Sequence, residues 1–388
     1  MRICALALRR IQIPLRGAFE HARASRAATD NIVCAVTLDG GIVGYGEGVP
    51  RDYVTGETPE TMWATLAALA LPAQPVTDIA GAFDLAAAVT GSIENRPGVI
   101  QNACRTAIEL AILDAYGKAF ACSITPHLIQ RAGTRPGPVC THSMVLDRKA
   151  LRDPDRLRQL RDRYGFRAAK LKVGFGLDED IQNIAALRAI LGSAAEIRVD
   201  ANRAWTYEQA VATMTRAKEH GVETVEDPLA GDTIAAQAAG LRRLREEGFR
   251  VVLDEPIRIA SEVDQAIAER AVDVLNLRVS KNGGLVAAAR LARRAQDAGI
   301  GLQVGTQVGE TAILSAAGRH LSYCAGPVLF LESSNEHMKF EPDNYVSEED
   351  LNYDEHATSQ PLTGPGLGIT ILPERLERFT TAQLHKQL

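Results

Sequence analysis

The most constraining feature of this chain is a spacing. From about residue 136, short apolar runs alternate with amphipathic ones, and the polar residues that end the apolar runs recur at nearly even intervals. Ser143 to Lys172 is 29 positions, Lys172 to Asp200 is 28, Asp200 to Glu226 is 26, Glu226 to Asp254 is 28 and Asp254 to Lys281 is 27. A step of that size is one strand plus one helix. The strand candidates are 138–143, 168–173, 195–200, 222–226, 250–254, 272–277, 301–304 and 328–331, eight in all. Eight such units close into an α/β fold of the (β/α)8-barrel type. The competing open, doubly wound sheet asks for G-x-G-x-x-G after its first strand, and that motif is absent.

Ahead of the alternating region, strand-like runs at 3–13, 31–38 and 42–47 precede alanine-rich helical patterns at 59–70 and 101–117. Strands first and helices later is an α+β pattern. The expected division is therefore an N-terminal α+β capping domain over 1–125, a barrel over 126–362 and a C-terminal segment over 363–388. Between the barrel strands, Asp178-Glu179-Asp180 places acid at the first turn of a helix that Gly192 stops, and Thr206 caps the next one.

Composition removes several function classes. The net charge of −5 is spread without a basic stripe, so nothing favours a nucleic-acid partner. The first residues lack an apolar signal core, and no later run approaches the roughly 20 apolar residues of a membrane span, so no membrane partner and a cytoplasmic location are expected. The six cysteines form no C-x-x-C pair and read as buried free thiols.

In such a barrel all strand ends point to one mouth, so residues about 28 positions apart become neighbours. Asp200, Glu226 and Asp254 end the third, fourth and fifth strands. Three carboxylates brought together repel one another unless a cation lies between them, and hard oxygen ligands suit Mg2+ better than zinc. Lys170 and Lys172 form K-x-K on the second strand, so both face the barrel interior. Lys281 follows the sixth strand, opposite the second in an eight-strand ring, and the two lysines flank whatever the metal holds. A carboxylate substrate placed there has its neighbouring C–H acidified by the cation, and a neutral lysine can take the proton.

These motifs resemble the enolase superfamily, in its muconate lactonizing enzyme subgroup, which includes dipeptide epimerases and o-succinylbenzoate synthases. The matching segments are Lys170-Leu171-Lys172, Val199-Asp200-Ala201-Asn202, Val225-Glu226-Asp227-Pro228, Leu253-Asp254-Glu255-Pro256 and Ser280-Lys281-Asn282-Gly283-Gly284. The resemblance implies Lys172 and Lys281 as the acid/base pair, and Asp200, Glu226 and Asp254 as ligands of Mg2+, with Mn2+ as its substitute. It also implies capping loops near Gly17–Asp30 and Pro50–Thr58 that close over a small-molecule carboxylate, a C-terminal segment that packs back on the cap, and a symmetric homo-oligomer. The seventh strand, Gly301 to Thr306, carries no histidine, which disfavours the mandelate racemase type; His320 reads as structural.

Within the subgroup, Arg51 to Thr58 is similar to the capping loop of dipeptide epimerases, and Arg26 falls where such enzymes bind an acidic side chain. The eighth strand ends Leu331-Glu332-Ser333-Ser334-Asn335-Glu336, whereas those enzymes use Asp-x-Asp. Glu310 is a shifted counterpart of the glutamate in muconate cycloisomerase loops. Substrate-contacting or supporting candidates are thus Lys170, Asn202, Arg26, Ser143, Glu310 and Glu332. The acidic stretch Glu341 to Glu355 reads as a solvated loop. The expected function is a Mg2+-dependent isomerase, a racemase or epimerase of an N-acyl amino acid or dipeptide. The alternative is a cycloisomerase or an o-succinylbenzoate synthase-like lyase; a non-enzymatic barrel is disfavoured because every ligand and acid/base position is filled.

Overall fold

The computed structural model describes residues 1–21, 24–332 and 339–388. Ala22 and Arg23 of the first capping loop and Ser333 to Glu336 after the eighth strand lie outside them. The chain begins with β1 (Ile3–Ile11), β2 (Pro14–His21), β3 (Ala24–Ala28), β4 (Asn31–Leu38) and β5 (Val43–Gly48), followed by α1 (Pro59–Ala68), α2 (Ile79–Gly91), α3 (Asn102–Ala119) and α4 (Thr125–Ala132). Strands β1, β4 and β5 form an antiparallel sheet, and β2 pairs with β3 as a separate hairpin. The hairpin occupies the stretch expected as the Gly17–Asp30 capping loop, and neither α2 nor α4 was among the elements expected from the sequence.

Strand β5 reads Val-Gly-Tyr-Gly-Glu-Gly, and its three glycines face α3. A Cβ on Gly44, Gly46 or Gly48 would lie 2.1 Å from Ala115 N, 2.0 Å from Ala107 O and 2.2 Å from Ala103 O. The helix presents alanines at every fourth position, so small residues on both surfaces let backbone pack directly on backbone.

The barrel follows as β6 (Met144–Leu146), α5 (Pro154–Tyr164), β7 (Ala168–Lys172), α6 (Leu177–Leu191), β8 (Glu196–Asp200), α7 (Tyr207–Lys218), β9 (Thr224–Glu226) and α8 (Ile234–Glu246). It continues with β10 (Arg250–Leu253), α9 (Ala260–Ala268), β11 (Val274–Leu277), α10 (Leu285–Asp297), β12 (Gly301–Val304), α11 (Ala312–Cys324) and β13 (Phe330–Leu331). The eight strands pair in sequence order, all parallel. A parallel bridge between His142 and Leu331, with Ser143 N–H donating to Leu331 O at 2.8 Å, joins the last strand to the first. Helix α10 shows why the layers adhere: Leu285, Ala288, Ala289, Ala292 and Ala295 form one buried stripe of helical period.

Two expectations are corrected. The first strand is Met144–Leu146 rather than 138–143, because the buried Met144 and Leu146 follow the polar Thr141-His142-Ser143. Ser143 therefore lies at the base of the strand, and Asp147 occupies its C-terminal end. The stretch from Glu341 to Glu355 is not merely solvated, since Val346, Leu351 and Tyr353 are buried, and Tyr353 stacks on His142 with ring centroids 4.2 Å apart. Its acids point outward while its apolar residues anchor it beside the barrel seam.

The chain ends with α12 (Pro373–Arg378) and β14 (Thr380–Gln387), which pairs antiparallel with β1. No helix among the described residues is long and apolar enough to cross a membrane.

The cap is docked on the barrel by buried polar contacts. Glu47 of β5 accepts from the backbone N–H of Thr311 (3.1 Å) and of Leu314 (3.2 Å) at the start of α11. Glu109 of α3 accepts from Leu285 N–H at the start of α10 (2.5 Å). Each carboxylate thus satisfies free amides at a helix N-terminus. Gly284, at φ 111°, leaves room for Glu109, whose Oε2 would be 2.1 Å from an added Cβ.

His320 is buried in α11 between Thr125 Oγ1 (2.7 Å from Nδ1) and Leu367 O (3.0 Å from Nε2). The carbonyl can only accept, so Nε2 carries a hydrogen, and burial favours the neutral ring.

Two predictions follow from these contacts. Gly46→Ala drives a methyl into the α3 backbone and lowers the unfolding free energy by about 3 kcal/mol or more, read by chemical denaturation. Gly91→Ala, where the added Cβ meets nothing, changes it by less than about 1 kcal/mol. Burial depresses the His320 pKa from its ordinary 6.5 to about 4. Its contribution is fully present above pH 6.5 and is lost as pH falls toward 4. The His320→Gln variant, weaker by roughly 1–2 kcal/mol at pH 7, loses less than the parent between these limits.

Candidate active site

Parallel register builds the site. Lys172 pairs with Asp200 across β7 and β8, and Asp200 pairs with Glu226 across β8 and β9. Asp254 follows β10, and Lys281 follows β11 after a short turn. Around the mouth the order is therefore Lys172, Asp200, Glu226, Asp254, Lys281, a row of acids with a lysine at either end. All five are buried.

Each acid is turned onto a cation. Lys172 Nζ lies 2.5 Å from Asp200 Oδ2 and 3.0 Å from Asn202 Oδ1. Lys170 Nζ donates to both Glu226 oxygens, at 3.0 and 2.9 Å. Asn276 and Gln303 complete the Glu226 shell at 2.9 and 2.8 Å. Lys281 Nζ is held by Asp254 Oδ1 (2.9 Å), Asp254 O (2.5 Å) and Asn276 O (2.7 Å). Arg278, absent from the sequence-based candidates, pairs with Asp254 and lies 3.8 Å from Glu226 Oε1. Among the described residues no three histidine, cysteine or carboxylate side chains are grouped as metal ligands.

The electrostatics divide these groups. Burial pushes the Asp200 carboxyl up to about 6, with Glu226 and Glu255 adding repulsion against the pull of Lys172 and Lys170. Burial works against the charge on Glu226 too, but Lys170, Lys172 and Arg278 outweigh it and hold the acid well below the usual range. Lys170 is likewise held charged, as Glu226, Glu332 and Asp200 overcome its desolvation. Burial lowers the Lys281 pKa, and Arg278 adds to that effect. Buried, mutually repelling oxygen donors on three adjacent strands are a donor set that fits a hard divalent cation.

Over the row lies a cavity of about 40 Å3. Lys170, Lys172, Asn202 and Glu332 line it, together with Glu255, Arg278 and Lys339, and Phe19 and Tyr53 reach it from the cap. Lys281 is beneath Asp254 and does not line it. Glu332 bridges Lys170 (2.8 Å) and Arg198 (2.9 Å).

Other sequence candidates lie elsewhere. Ser143 receives a hydrogen bond from Arg198 at 3.2 Å, below the mouth. Glu310 accepts from Gln307 N–H at 2.7 Å, and burial lifts its pKa to about 8. Arg26 pairs with Phe19 in the β2–β3 hairpin, and its buried Nε has no hydrogen-bond partner among the described residues. Arg278 and Glu255 carried a signal, since each adjoins a strand end; Lys339 follows an aperiodic segment and carried none.

Comparison with known proteins locates this arrangement. Residues 153–375 match the family model described as Enolase C-terminal domain-like. The chain is 30% identical over 391 residues to the N-succinyl-L-Arg/Lys racemase of Bacillus cereus, covering 99% of each. It is 26% identical to the hydrophobic dipeptide epimerase of Enterococcus faecalis, covering 83% of this chain and 87% of that one. With muconate cycloisomerase 1-1 of Acinetobacter lwoffii it shares 28% identity over 89% and 88% of the two chains. The crystal structure of the Bacillus cereus racemase superposes with a TM-score of 0.85 over the full length of both chains, at 26% identity.

Glu332 is the joint between the row and the barrel seam. Glu332→Ala leaves Lys170 and Arg198 facing each other without their shared anion, and the unfolding free energy falls by roughly 3–5 kcal/mol in denaturant titration.

Proposed function

Because this chain belongs to the enolase superfamily, in its muconate lactonizing enzyme subgroup, we propose that it is a Mg2+-dependent racemase or epimerase acting at the α-carbon of an N-acyl amino acid or dipeptide. The observation that carries this reading is the row itself: three buried acids on adjacent strands bracketed by Lys172 and Lys281. Asp200, Glu226 and Asp254 would hold Mg2+ or, in its place, Mn2+. The bound ion would supply positive charge beside the substrate carboxylate, making the neighbouring C–H more acidic.

The chain's own groups do the rest. Lys172, which faces the cavity, removes or returns the α-proton on one face, and Lys281 acts on the other. Inversion requires one lysine neutral and the other protonated at each turnover. Lys170 stays charged and fixes Glu226, while Asn202 holds Lys172 in place. Phe19 and Tyr53 cover the mouth and exclude water.

One observation favours a second reading. Lys172 lines the cavity, whereas Lys281 is tied to three acceptors and does not. A cycloisomerase needs one lysine for proton transfer and can use the other as fixed charge.

Isotope exchange in D2O separates the two. In a racemase, recovered substrate and its epimer both carry α-deuterium. Lys172→Ala and Lys281→Ala each lose exchange with one stereoisomer by roughly 10^2–10^4-fold, the two variants losing opposite isomers. Absence of exchange on every N-acyl amino acid and dipeptide tried removes the racemase reading, and formation of a lactone from a muconate establishes the second.

A further inference from the structure

Beside the mouth lies a second, open cavity of about 270 Å3, close to the lower end of the roughly 300–1,000 Å3 typical of small-molecule pockets. Phe19, Val145 and Lys339 line both cavities and form their common wall. The floor of the second is apolar, with Leu146, Leu157 and Leu160.

Its charged groups differ in whether they are already matched. Lys149 pairs with Glu20 at 3.1 Å and Arg16 with Glu341 at 3.2 Å. Asp147 accepts the backbone N–H groups of Glu20 and Ala150, both at 3.0 Å. Lys339 is different. Its ammonium sits 3.8 Å from the centroid of the Phe19 ring, and among the described residues it has no hydrogen bond or ion pair. Burial pushes its pKa down to about 8, with Asp147 opposing and Lys172 assisting. An ammonium at the junction of two cavities with no carboxylate in contact among the described residues is costly, and an arriving anion relieves that cost.

We infer that Lys339 is a specificity-determining residue that receives a second substrate carboxylate, carried on an apolar arm lying over Phe19, Leu157 and Leu160. This rests on the racemase or epimerase reading, which places the first carboxylate and the reacting carbon at the strand ends beside Lys172. A wholly apolar arm would fill the floor and leave Lys339 unmatched; an acid-ended arm satisfies both. Arg156 also lines this cavity and adds positive charge to it.

The test compares two probes of equal length, N-succinyl-leucine and its terminal-amide analogue N-succinamoyl-leucine, by α-deuterium exchange with the Mg2+-loaded protein. The wild type favours the acid over the amide at least tenfold in kcat/KM. Lys339→Met reduces that preference at least tenfold, and Lys339→Arg keeps most of it. Each preference is a ratio within one preparation, so a smaller folded fraction cancels. Should Lys339→Met yield no activity, the wild-type pH profile decides. The ratio falls as pH rises through about 8, because deprotonation removes the charge while the catalytic lysines act on both probes alike. The groups sharing the two cavities with Lys339 are Lys170, Lys172, Glu255, Arg278 and Glu332 at the barrel mouth, Tyr53 and Arg16 from the cap, and Asp147, Lys149, Asp153 and Arg156 in the second cavity. Exchange on both probes with no acid preference, or with a preference that survives in Lys339→Met, overturns the inference and leaves the racemase reading intact. No exchange on either probe, when a dipeptide also shows none, overturns that reading and the inference with it.

Discussion

Charge must be matched where water is excluded, and the barrel mouth is arranged around that requirement. Glu226 receives four donor contacts from Lys170, Asn276 and Gln303, and Lys170 in turn contacts Glu332, which holds Arg198. Strand register makes this network unavoidable: side chains two apart on β7 face the same interior, and neighbouring strands align the acids beside them. Removing any one charged partner leaves a buried charge behind, so the network constrains folding as well as shaping the proposed site.

The same logic couples the cap to the site. Helix α3 lies on the glycine face of β5 and also reaches the loop that bears Lys281. Asn102 Nδ2 donates to Lys281 O at 2.7 Å, Thr106 Oγ1 to Val279 O at 3.1 Å, and Ser280 Oγ accepts Val49 N–H at 2.9 Å. Gly283 and Gly284 permit that approach, since an added Cβ at either would meet Asn102 or Glu109. The Lys-Asn-Gly-Gly run is therefore explained twice, once by the lysine and once by the docking of the cap beside it. The position of Lys281 depends on a helix from the other domain.

How much of this was legible in the sequence follows from how local each signal is. The barrel period was readable because every strand end adjoins an apolar run, and Asp200, Glu226 and Asp254 each close one. The first strand was misplaced by several residues because Thr141-His142-Ser143 resembles a polar strand terminus, while the seam contacts that decide the register come from Leu331 and Tyr353, far along the chain. The β2–β3 hairpin falls where the sequence suggested only a capping loop, Gly17–Asp30, because its strands show little alternation. Lys339 could not be found at all, because its significance lies in the two cavities it separates, a feature of the folded chain alone.

The lysines around the row are not equivalent, and this bears on what the site can do. Lys170 is surrounded by carboxylates and remains a fixed cation, so it cannot exchange a proton near neutral pH. Lys281 is pushed toward the neutral form by burial and by Arg278, yet its ammonium is bound by Asp254 and by two carbonyl oxygens. Acting on a substrate proton requires Asp254 to be engaged elsewhere, which is what binding a cation to that carboxylate would accomplish. On the proposed reading Asp254 and Lys281 form a single switchable pair: a cation held by Asp254 would also free the lysine proposed to complete inversion. A site in which Asp254 kept its hold on Lys281 would retain one working lysine, Lys172, and with it the one-base chemistry of a cycloisomerase.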